Sequence, residues 1–309
     1  MSGQVTQRAD LEREKVPAPP LAVRPRRRSL GPYLLLAPAG VFLAVFFVWP
    51  MVQALLLAFQ NEAGTFTLEP FRRMVNDIAF GRAVRNTLLL IVVIVPLQMV
   101  LALIMALLLQ SGLRGTGLLL YLWAIPLAIS DLAAGIVWLA IFADRGYLNS
   151  ALVGLGLSET SIRFLSYENP VSMFLAVVLA ETWRATSIVM VILLAGLQVI
   201  PKEYGEAAAV FGANGWQRLR HVTLPMLLPS IQVALILRTI LAFQVFAVVI
   251  ALAGRNLPVL AGEAYYWYGS YSNPNVAAAY ALLILIFSVL NTGIYLRALR
   301  VRDEAIGVT

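Results

Sequence analysis

Four charged residues lie inside long apolar stretches of this chain and are the first candidates for chemistry: Asp131, Glu181, Arg184 and Arg238. A charge in hydrocarbon is costly, so such residues usually face a bundle interior or a watery cavity and pair with one another. Glu181 and Arg184 are three residues apart, which places them on the same face of a helix, where they can pair. The pair is either a structural ion pair or part of the path of a polar solute. Asp131 has two possible partners, Arg238 or a second chain.

Uncharged groups add two further candidates. Gln244 lies in another apolar stretch, where its side chain can make a helix–helix hydrogen bond. An aromatic segment follows that stretch and contains Tyr265, Tyr266, Trp267, Tyr268 and Tyr271. Aromatic rings stack on the faces of sugars, but Trp and Tyr also collect at the headgroup level of a membrane. Both interpretations of the aromatic segment stay open, with the membrane belt favoured.

The sequence shows no cluster of acids, bases and nucleophiles of the kind that an enzyme needs. It contains no cysteine, which excludes disulfides, thiolate zinc sites and iron–sulfur clusters. A lone histidine such as His221 is more typical of a solvated loop than of a metal site. The phosphate-binding pattern G-x-x-x-x-G-K-[ST] is absent, and the chain has only two lysines, Lys15 and Lys202. We therefore expect a non-enzyme without a cofactor of its own; if ATP drives it, another subunit binds the nucleotide.

The elements that must position these residues are membrane helices. Of the 309 residues, 60% are hydrophobic and only 13% are charged, about half the charged fraction of ordinary globular domains. A helix needs about 20 apolar residues to cross a hydrocarbon core of about 30 Å. The apolar residues form six continuous blocks of that length, without the alternation typical of a barrel. The sequence predicts an all-α integral membrane protein with six transmembrane helices, at about 32–59, 86–110, 118–142, 171–198, 225–250 and 276–299.

The net charge of +7 follows from membrane topology rather than from a nucleic-acid partner. With the N-terminus inside, fourteen of the 23 lysines and arginines lie in cytoplasmic segments, seven lie on the opposite side and two lie in spans. Cytoplasmic loops carry such an excess of positive residues, so we predict that both termini are cytoplasmic. The predicted organisation is a basic, disordered arm (1–29), one membrane domain (30–300) and a short tail (301–309).

The segment 200–224, between the fourth and fifth predicted spans, has an unusual composition for a loop. It predicts two short helices around a turn at Gly212 to Gly215, and Pro225 then begins the next span, where its missing N–H costs little. Three alanines after Glu206 leave one flank of the first helix nearly smooth, so that another protein can approach closely. A helix that docks in the groove of a partner has this layout. We interpret the segment as a docking surface for a cytosolic protein.

The spacing within this loop carries a family resemblance. Glu206-Ala207-Ala208, three residues, Gly212, nine residues and then Val222-x-Leu224-Pro225 resembles the coupling-loop signature E-A-A-x3-G-x9-[IV]-x-L-P of binding-protein-dependent ABC importer permeases. Further segments are similar to the carbohydrate branch of that family, which includes maltose permeases: "YLLLAPAGVFLAVFFVWP", "GYLN", "ETWR", "LLAGLQVIPKEYGEAAAVFGA" and "LPMLLPSI". The resemblance covers nearly all of residues 32–299.

This resemblance implies a multi-pass permease subunit in the cytoplasmic membrane of a bacterium, with the six-helix bundle of type I ABC importers. Its implied cargo is a sugar, such as a di- or oligosaccharide. The implied partners are a second related permease, two cytosolic ATPase subunits that hold ATP and magnesium, an external substrate-binding protein and membrane lipid. The coupling loop would pass ATPase closure to the spans through Glu206, Ala207, Ala208, Gly212, Leu224 and Pro225.

The resemblance also implies a substrate path on the spans that flank the loop. The candidate positions are Glu181, Trp183, Arg184, Ala185, Leu237, Leu241 and Gln244. Charge at two of these positions keeps a glycerol-phosphate compound or a polyol open as the cargo, and a membrane scaffold without transport is the other alternative.

Two segments depart from the family pattern. Phe211 stands where an aspartate usually precedes the motif glycine, so we expect different hydrogen bonding there, and "ALAGRNLP" replaces a glycine-rich segment. The C-terminal tail lacks the glycine-rich sequence of the second permease type, which indicates the first, maltose-permease-like type of a heterodimeric pair.

Overall fold

The structure, a computed structural model, describes residues 31–298, with side chains from residue 34. The arm 1–29 and the tail 301–309 lie outside the described residues. Within the described range the regular elements are all helices, joined by turns and loops that contain one isolated bridge between Gln60 and Phe66, which confirms the all-α prediction. The α-helices are α1 (Gly31–Leu43), α2 (Trp49–Leu57), α3 (Glu69–Val75), α4 (Phe80–Gln110), α5 (Thr116–Ala124), α6 (Asp131–Phe142), α7 (Tyr147–Gly154), α8 (Pro170–Val199), α9 (Lys202–Val210), α10 (Gly215–Arg218), α11 (Leu224–Phe243), α12 (Ala247–Ala253), α13 (Leu260–Gly269) and α14 (Pro274–Ala298).

Six helical segments within residues 31–298 are long and apolar enough to cross a membrane, as the sequence predicts. They are Leu34–Leu57, Phe80–Gln110, Asp131–Gly154, Pro170–Val199, Gly215–Phe243 and Pro274–Ala298. The chain divides into two compact units, one that ends at Met51 and one that begins at Val52. In the first unit, α1 contains Pro38 and leads into a π-helical turn at Ala44–Val48. The candidate site described below lies in the second unit.

The sequence predicts a continuous third span at 118–142, but the chain breaks within that range, and the membrane-length segment found there is Asp131–Gly154. After α5 a 3-10 turn covers Ile125–Ala128, and Ile129 is extended. Pro126 lacks the N–H that an α-helix would need there, and Ser130 caps a new helix by accepting a hydrogen bond from the Ala133 N–H. Asp131 therefore stands in the first turn of α6 rather than within a continuous helix.

Three long helices form the support for the buried polar residues. α4 and α8 have 31 and 30 residues, and both pack against α11. α8 approaches α11 closely at Gly196, where an added Cβ would lie 2.6 Å from the Ser230 Cβ and 2.9 Å from the Leu227 Cδ1. Small residues permit such close helix contacts in a membrane protein. The apolar core between these helices includes Ala102, Ala106, Val189, Leu193, Leu197 and Leu227.

The segment between α11 and α14 is helical, although the sequence predicts that the fifth span runs to about residue 250 and an aromatic loop follows. α11 ends at Phe243 with Gln244 as its C-cap residue, and the chain continues as a bent pair, Ala247–Asn256 and Leu260–Gly269, at 79°. Gly135 of α6 fits tightly against this pair, since an added Cβ would lie 2.6 Å from the Ala251 Cβ.

Candidate functional site

A chain of ion pairs and hydrogen bonds connects five polar side chains, which we call the charge network: Gln98, Asp131, Glu181, Arg184 and Arg238. Arg184 donates from Nε and Nη2 to the two carboxylate oxygens of Glu181, at 3.0 and 2.6 Å, and from Nη1 to Asp131 Oδ1 at 2.6 Å. Glu181 Oε1 also accepts from Arg238 Nη2 at 2.8 Å. Gln98 Oε1 accepts from Arg238 Nε, and Gln98 Nε2 donates to the Glu181 carbonyl oxygen at 2.8 Å.

Four helices contribute to this network, and its charges cancel. Gln98 comes from α4, Glu181 and Arg184 from α8, and Arg238 from α11, while Asp131 opens α6. Two carboxylates and two guanidinium groups give a formal sum of zero. Removing one partner of a buried ion pair leaves an uncompensated charge, at a cost of about 3–5 kcal/mol. The network therefore joins these helices in one defined arrangement.

Burial falls steadily along the network. Gln98 is fully buried, and the side chains of Glu181 and Arg238 are each 1% exposed. The side chain of Arg184 is 17% exposed, and that of Asp131 is 59% exposed. The structure thus pairs Asp131 with Arg184 and not with Arg238, because the break in the third span presents Asp131 beside α8. Asp131 and part of Arg184 therefore lie at the surface of this chain, while the other three members are sealed.

The residues that the sequence places on a substrate path divide into two sets. Glu181 and Ala185 are buried, whereas Trp183 and Arg184 are partly exposed. On α11 the candidates are exposed along one side of the helix, at Leu237, Leu241 and the C-cap residue Gln244. Their lining role stays a prediction, and Asp131 and Arg184 are the members of the network that reach the surface of this chain.

The predicted helix–turn–helix at 200–224 is present. α9 ends at Val210, and Gly212 has a φ of +84°, a left-handed conformation that glycine adopts without steric cost. The Gly212 N–H donates to the Ala209 carbonyl at 2.9 Å and the Ala213 N–H donates to the Ala208 carbonyl at 3.0 Å, which satisfies the helix end. Asn214 and Gln217 then form a capping box that starts α10.

The second helix of this loop differs from the prediction in one respect. It is not separate from the fifth span, because α10, a π-helical turn at Leu219–Thr223 and α11 make one helical segment, Gly215–Phe243. Pro225 therefore lies inside that segment rather than at its beginning. A displacement of the loop would pass into α11 through continuous helix.

Most residues of α9, the first helix of the loop, are exposed. Glu206 and Ala207 are exposed, and Ala208 is half-buried. Val210 and Phe211 at its end are 86% and 91% exposed, so the Phe211 ring takes no part in interior packing. The Phe211 N–H donates to the Ala207 carbonyl at 3.2 Å, a backbone bond that any residue type can make. The structure gives no interior role for the phenyl ring.

The aromatic segment joins other elements instead of standing free. Trp267 Nε1 donates to Asp77 Oδ2 at 2.8 Å, which ties α13 to the turn before α4. The Arg255 guanidinium lies 4.5 Å from the ring centroid of Tyr266 and donates to the Tyr271 hydroxyl at 2.9 Å. Tyr265 and Tyr268, at 52% and 68% exposed, remain accessible for a membrane belt or a sugar, so both interpretations stay open.

The short helix α3 is held by an ion pair at its surface. Arg73 contacts Glu69 at 2.6 Å and Glu62 at 3.2 Å. The hydrogen bond that Arg73 donates to the Glu69 carboxylate raises the pKa of Arg73 above its ordinary value, so this guanidinium keeps its charge. Elsewhere among residues 31–298, His, Asp and Glu side chains do not gather in threes as a metal site would require.

A protein-family model decides the family. The model described as "Binding-protein-dependent transport system inner membrane component" matches residues 79–298. The chain belongs to this family. Together with its six apolar helices, this makes it a multi-pass subunit of the inner, cytoplasmic membrane. The resemblance stated from the coupling-loop signature is confirmed.

Similar curated proteins extend over nearly the whole chain. The trehalose/maltose transport system permease protein MalF of Thermococcus litoralis is 31% identical over 90% of this chain and 96% of its own. The sulfoquinovosyl glycerol transport system permease protein SmoG of Agrobacterium fabrum is 32% identical over 87% and 90%. The alpha-glucoside transport system permease protein AglF of Rhizobium meliloti is 32% identical over 85% and 81%.

A solved structure supports the fold. A bacterial ABC transporter involved in the import of the acidic polysaccharide alginate contains a chain that superposes with a TM-score of 0.74, covering 88% of this chain and 96% of that one. Because the sequences are only 22% identical, this match supports the arrangement of the helices and nothing further.

Sequence reasoning missed one member of the network and misplaced another. Gln98 stands in the apolar run "IVVIVPLQMVLALIM", where a lone amide indicates a buried polar partner. The sequence shows that Asp131 is charged, but its exposure depends on the helix break, whose local signal is the pair Pro126 and Ser130.

Proposed function

We propose that this chain is a transmembrane subunit of an ATP-driven importer that moves a sugar, such as a di- or oligosaccharide, from an external binding protein into the cell. The observation that carries the proposal is family membership over residues 79–298, together with relatives of 31–32% identity that are named for sugars or glycosides. The proposed assembly adds a second related permease and two cytosolic ATPase subunits, which supply ATP hydrolysis with magnesium.

The loop helix α9 is the proposed contact with an ATPase subunit. Its accessible carboxylate at Glu206 and its smooth flank at Ala207 suit a groove in a partner protein. The turn at Gly212 fixes the angle between α9 and the helical run that enters the membrane. Closure of the ATPase pair would thus move α11, which carries Arg238 and the exposed positions Leu237, Leu241 and Gln244.

The substrate path is proposed to pass the open end of the charge network. Asp131 and Arg184 can exchange hydrogen bonds with a hydroxylated solute, and Trp183 next to Arg184 offers an aromatic surface against Trp138, 6.1 Å away between ring centroids. Glu181, Arg238 and Gln98 act through Arg184, because they are sealed from solvent. Ala185 is buried, so its contribution is to pack α8 inside the bundle next to Arg184.

Reconstitution tests this proposal. The complete transporter in liposomes, with its binding protein outside and ATP inside, should accumulate one member of a panel of labelled trehalose, maltose and alpha-glucosides. Omission of the binding protein or of ATP should abolish the uptake. Uptake that is unchanged without the binding protein would reject the importer assignment.

A second candidate cargo is an anionic glycoside. One relative of 32% identity is named for sulfoquinovosyl glycerol, which carries a sulfonate. The same reconstitution with a labelled sulfonated glycoside separates the two cargo classes.

A further inference from the structure

We infer that Asp131 is a charge filter: it cancels the positive charge at the open end of the charge network, so that this end accepts a neutral, hydroxyl-rich solute and rejects an anionic one. The inference rests on the proposed transport function and adds a cargo class to it. Its basis is the geometry of Asp131 and Arg184 and the difference in their exposure.

The three inner members of the network contact one another and are sealed from solvent, although Arg238 Nη1 has no hydrogen-bond partner within residues 31–298. Arg238 neutralises Glu181 through Nη2 at 2.8 Å, and Gln98 holds Arg238 through Nε. Glu181 in turn occupies both Nε and Nη2 of Arg184. The formal charges of Glu181 and Arg238 cancel, and both side chains are sealed. The charge balance at the accessible end is therefore that of Arg184 and Asp131 alone.

Arg184 alone would make this end attractive to anions. Its Nη1 is the one nitrogen of the guanidinium that Glu181 leaves free, and it points toward the exposed end of the network, where Asp131 Oδ1 lies 2.6 Å away. The first turn of α6 adds a partial positive charge from its N-terminal amides, at the position where Asp131 stands. A phosphate, sulfonate or carboxylate would suit this arrangement if no carboxylate were already present.

Asp131 occupies that position as part of the chain. A covalently attached carboxylate competes with an anionic solute at a very high effective concentration and also repels it. A neutral sugar meets no such repulsion, because its hydroxyl groups can donate to the accessible carboxylate oxygens of Asp131. With 59% of the Asp131 side chain exposed, these oxygens are available without breaking the ion pair to Arg184.

The test compares a matched pair of probes on the detergent-purified permease–ATPase complex without binding protein, so that only the membrane path selects. The probes are trehalose and trehalose 6-phosphate, and weak binding to each is measured by saturation-transfer NMR with titration. The variants are Asp131→Asn, the double variant Asp131→Asn/Arg184→Gln, and Glu159→Gln as a control that removes one acidic charge from an exposed site outside the network.

The unaltered complex should bind trehalose in preference to its phosphate ester. Asp131→Asn leaves one net positive charge and should shift the ratio of the two affinities toward the phosphate ester by about tenfold. The double variant restores neutrality and should lose that shift, and Glu159→Gln should leave the ratio unchanged. A fluorescence size-exclusion profile checks that each variant is folded.

Three results would overturn the inference: stronger binding of the phosphate ester to the unaltered complex, an unchanged ratio in folded Asp131→Asn, or no binding of trehalose to the unaltered complex. Failure of the proposed function is recognised separately, because binding-protein-dependent uptake into liposomes would then be absent for the whole sugar panel. Uptake with an unchanged ratio in Asp131→Asn would reject the charge filter alone.

Discussion

Arg238 Nη2 lies 2.8 Å from Glu181 Oε1, and both side chains are 1% exposed, so a fully buried ion pair joins α11 to α8 in the centre of the bundle. The sequence leaves Glu181 open as part of an ion pair or of the solute path, and it offers Arg238 only as a possible partner of Asp131. The pair instead supports the open end formed by Arg184 and Asp131, and it ties the helix that continues into the coupling loop to the helix that carries the accessible arginine.

Breaking this pair from one side should destabilise the protein strongly. Glu181→Gln leaves the buried Arg238 guanidinium without a carboxylate, at about 3–5 kcal/mol, whereas Arg238→Met should cost less because Glu181 keeps Arg184 as a cationic partner. The double variant should lose clearly less than the sum of the single variants, because it leaves no unpaired charge between the two positions. Thermal unfolding of the purified complex, followed by size-exclusion fluorescence, measures all three. Strictly additive losses would show that the two side chains do not interact.

The close approach of α8 and α11 at Gly196 gives a second stability prediction. Gly196→Ala forces the new Cβ against Ser230 and Leu227, an overpacking that costs about 1–3 kcal/mol. Gly293→Ala is the matched control, since this membrane helix position has no heavy atom within 4 Å of an added Cβ. The control should unfold at the unaltered temperature or slightly above it. Equal midpoints for the two variants would contradict the packing described here.

The left-handed conformation of Gly212 predicts that its replacement impairs the coupling of ATP hydrolysis to transport but not the membrane insertion of the spans. Gly212→Ala places a Cβ at a φ of +84°, which costs about 1–2 kcal/mol and favours a different angle between α9 and α10. We expect the complex to assemble with less ATPase and to lose the stimulation of ATP hydrolysis by the loaded binding protein. Gly205→Ala, in the interior of α9 with open space around it, should behave normally. Normal stimulation in Gly212→Ala would show that the turn does not set the coupling.

We expect the ATPase subunit to contact one particular carboxylate of α9, that of Glu206. Glu206→Gln should reduce copurification of the ATPase by about fivefold to tenfold, the effect of losing one charge-assisted hydrogen bond. Glu203→Gln removes the same charge one turn earlier on the same helix and serves as the control. If both variants retain the ATPase equally well, the docking surface lies elsewhere on the loop.

The sequence predicts the helical architecture well and the polar interior less well, for physical reasons that particular residues illustrate. Continuous apolar runs fix helices such as α4 and α8, and the spacing from Glu206 to Pro225 predicts the loop. The break before Asp131 depends on Pro126 and Ser130 together. Hydropathy is averaged over a whole span and does not detect these two local signals. The partner of Arg238 depends on which helices pack together, and no local spacing contains that information.

Uptake by the reconstituted complex tests the central claim most directly. Liposomes that contain this chain, its partner permease and the two ATPase subunits should accumulate a labelled sugar of the trehalose, maltose and alpha-glucoside panel only when ATP is inside and the binding protein is outside. Gly212→Ala should lower that uptake, whereas Gly205→Ala should not. Absence of uptake for every sugar in the panel by a complex that still hydrolyses ATP, or uptake that needs neither ATP nor binding protein, would contradict the assignment as a sugar importer subunit.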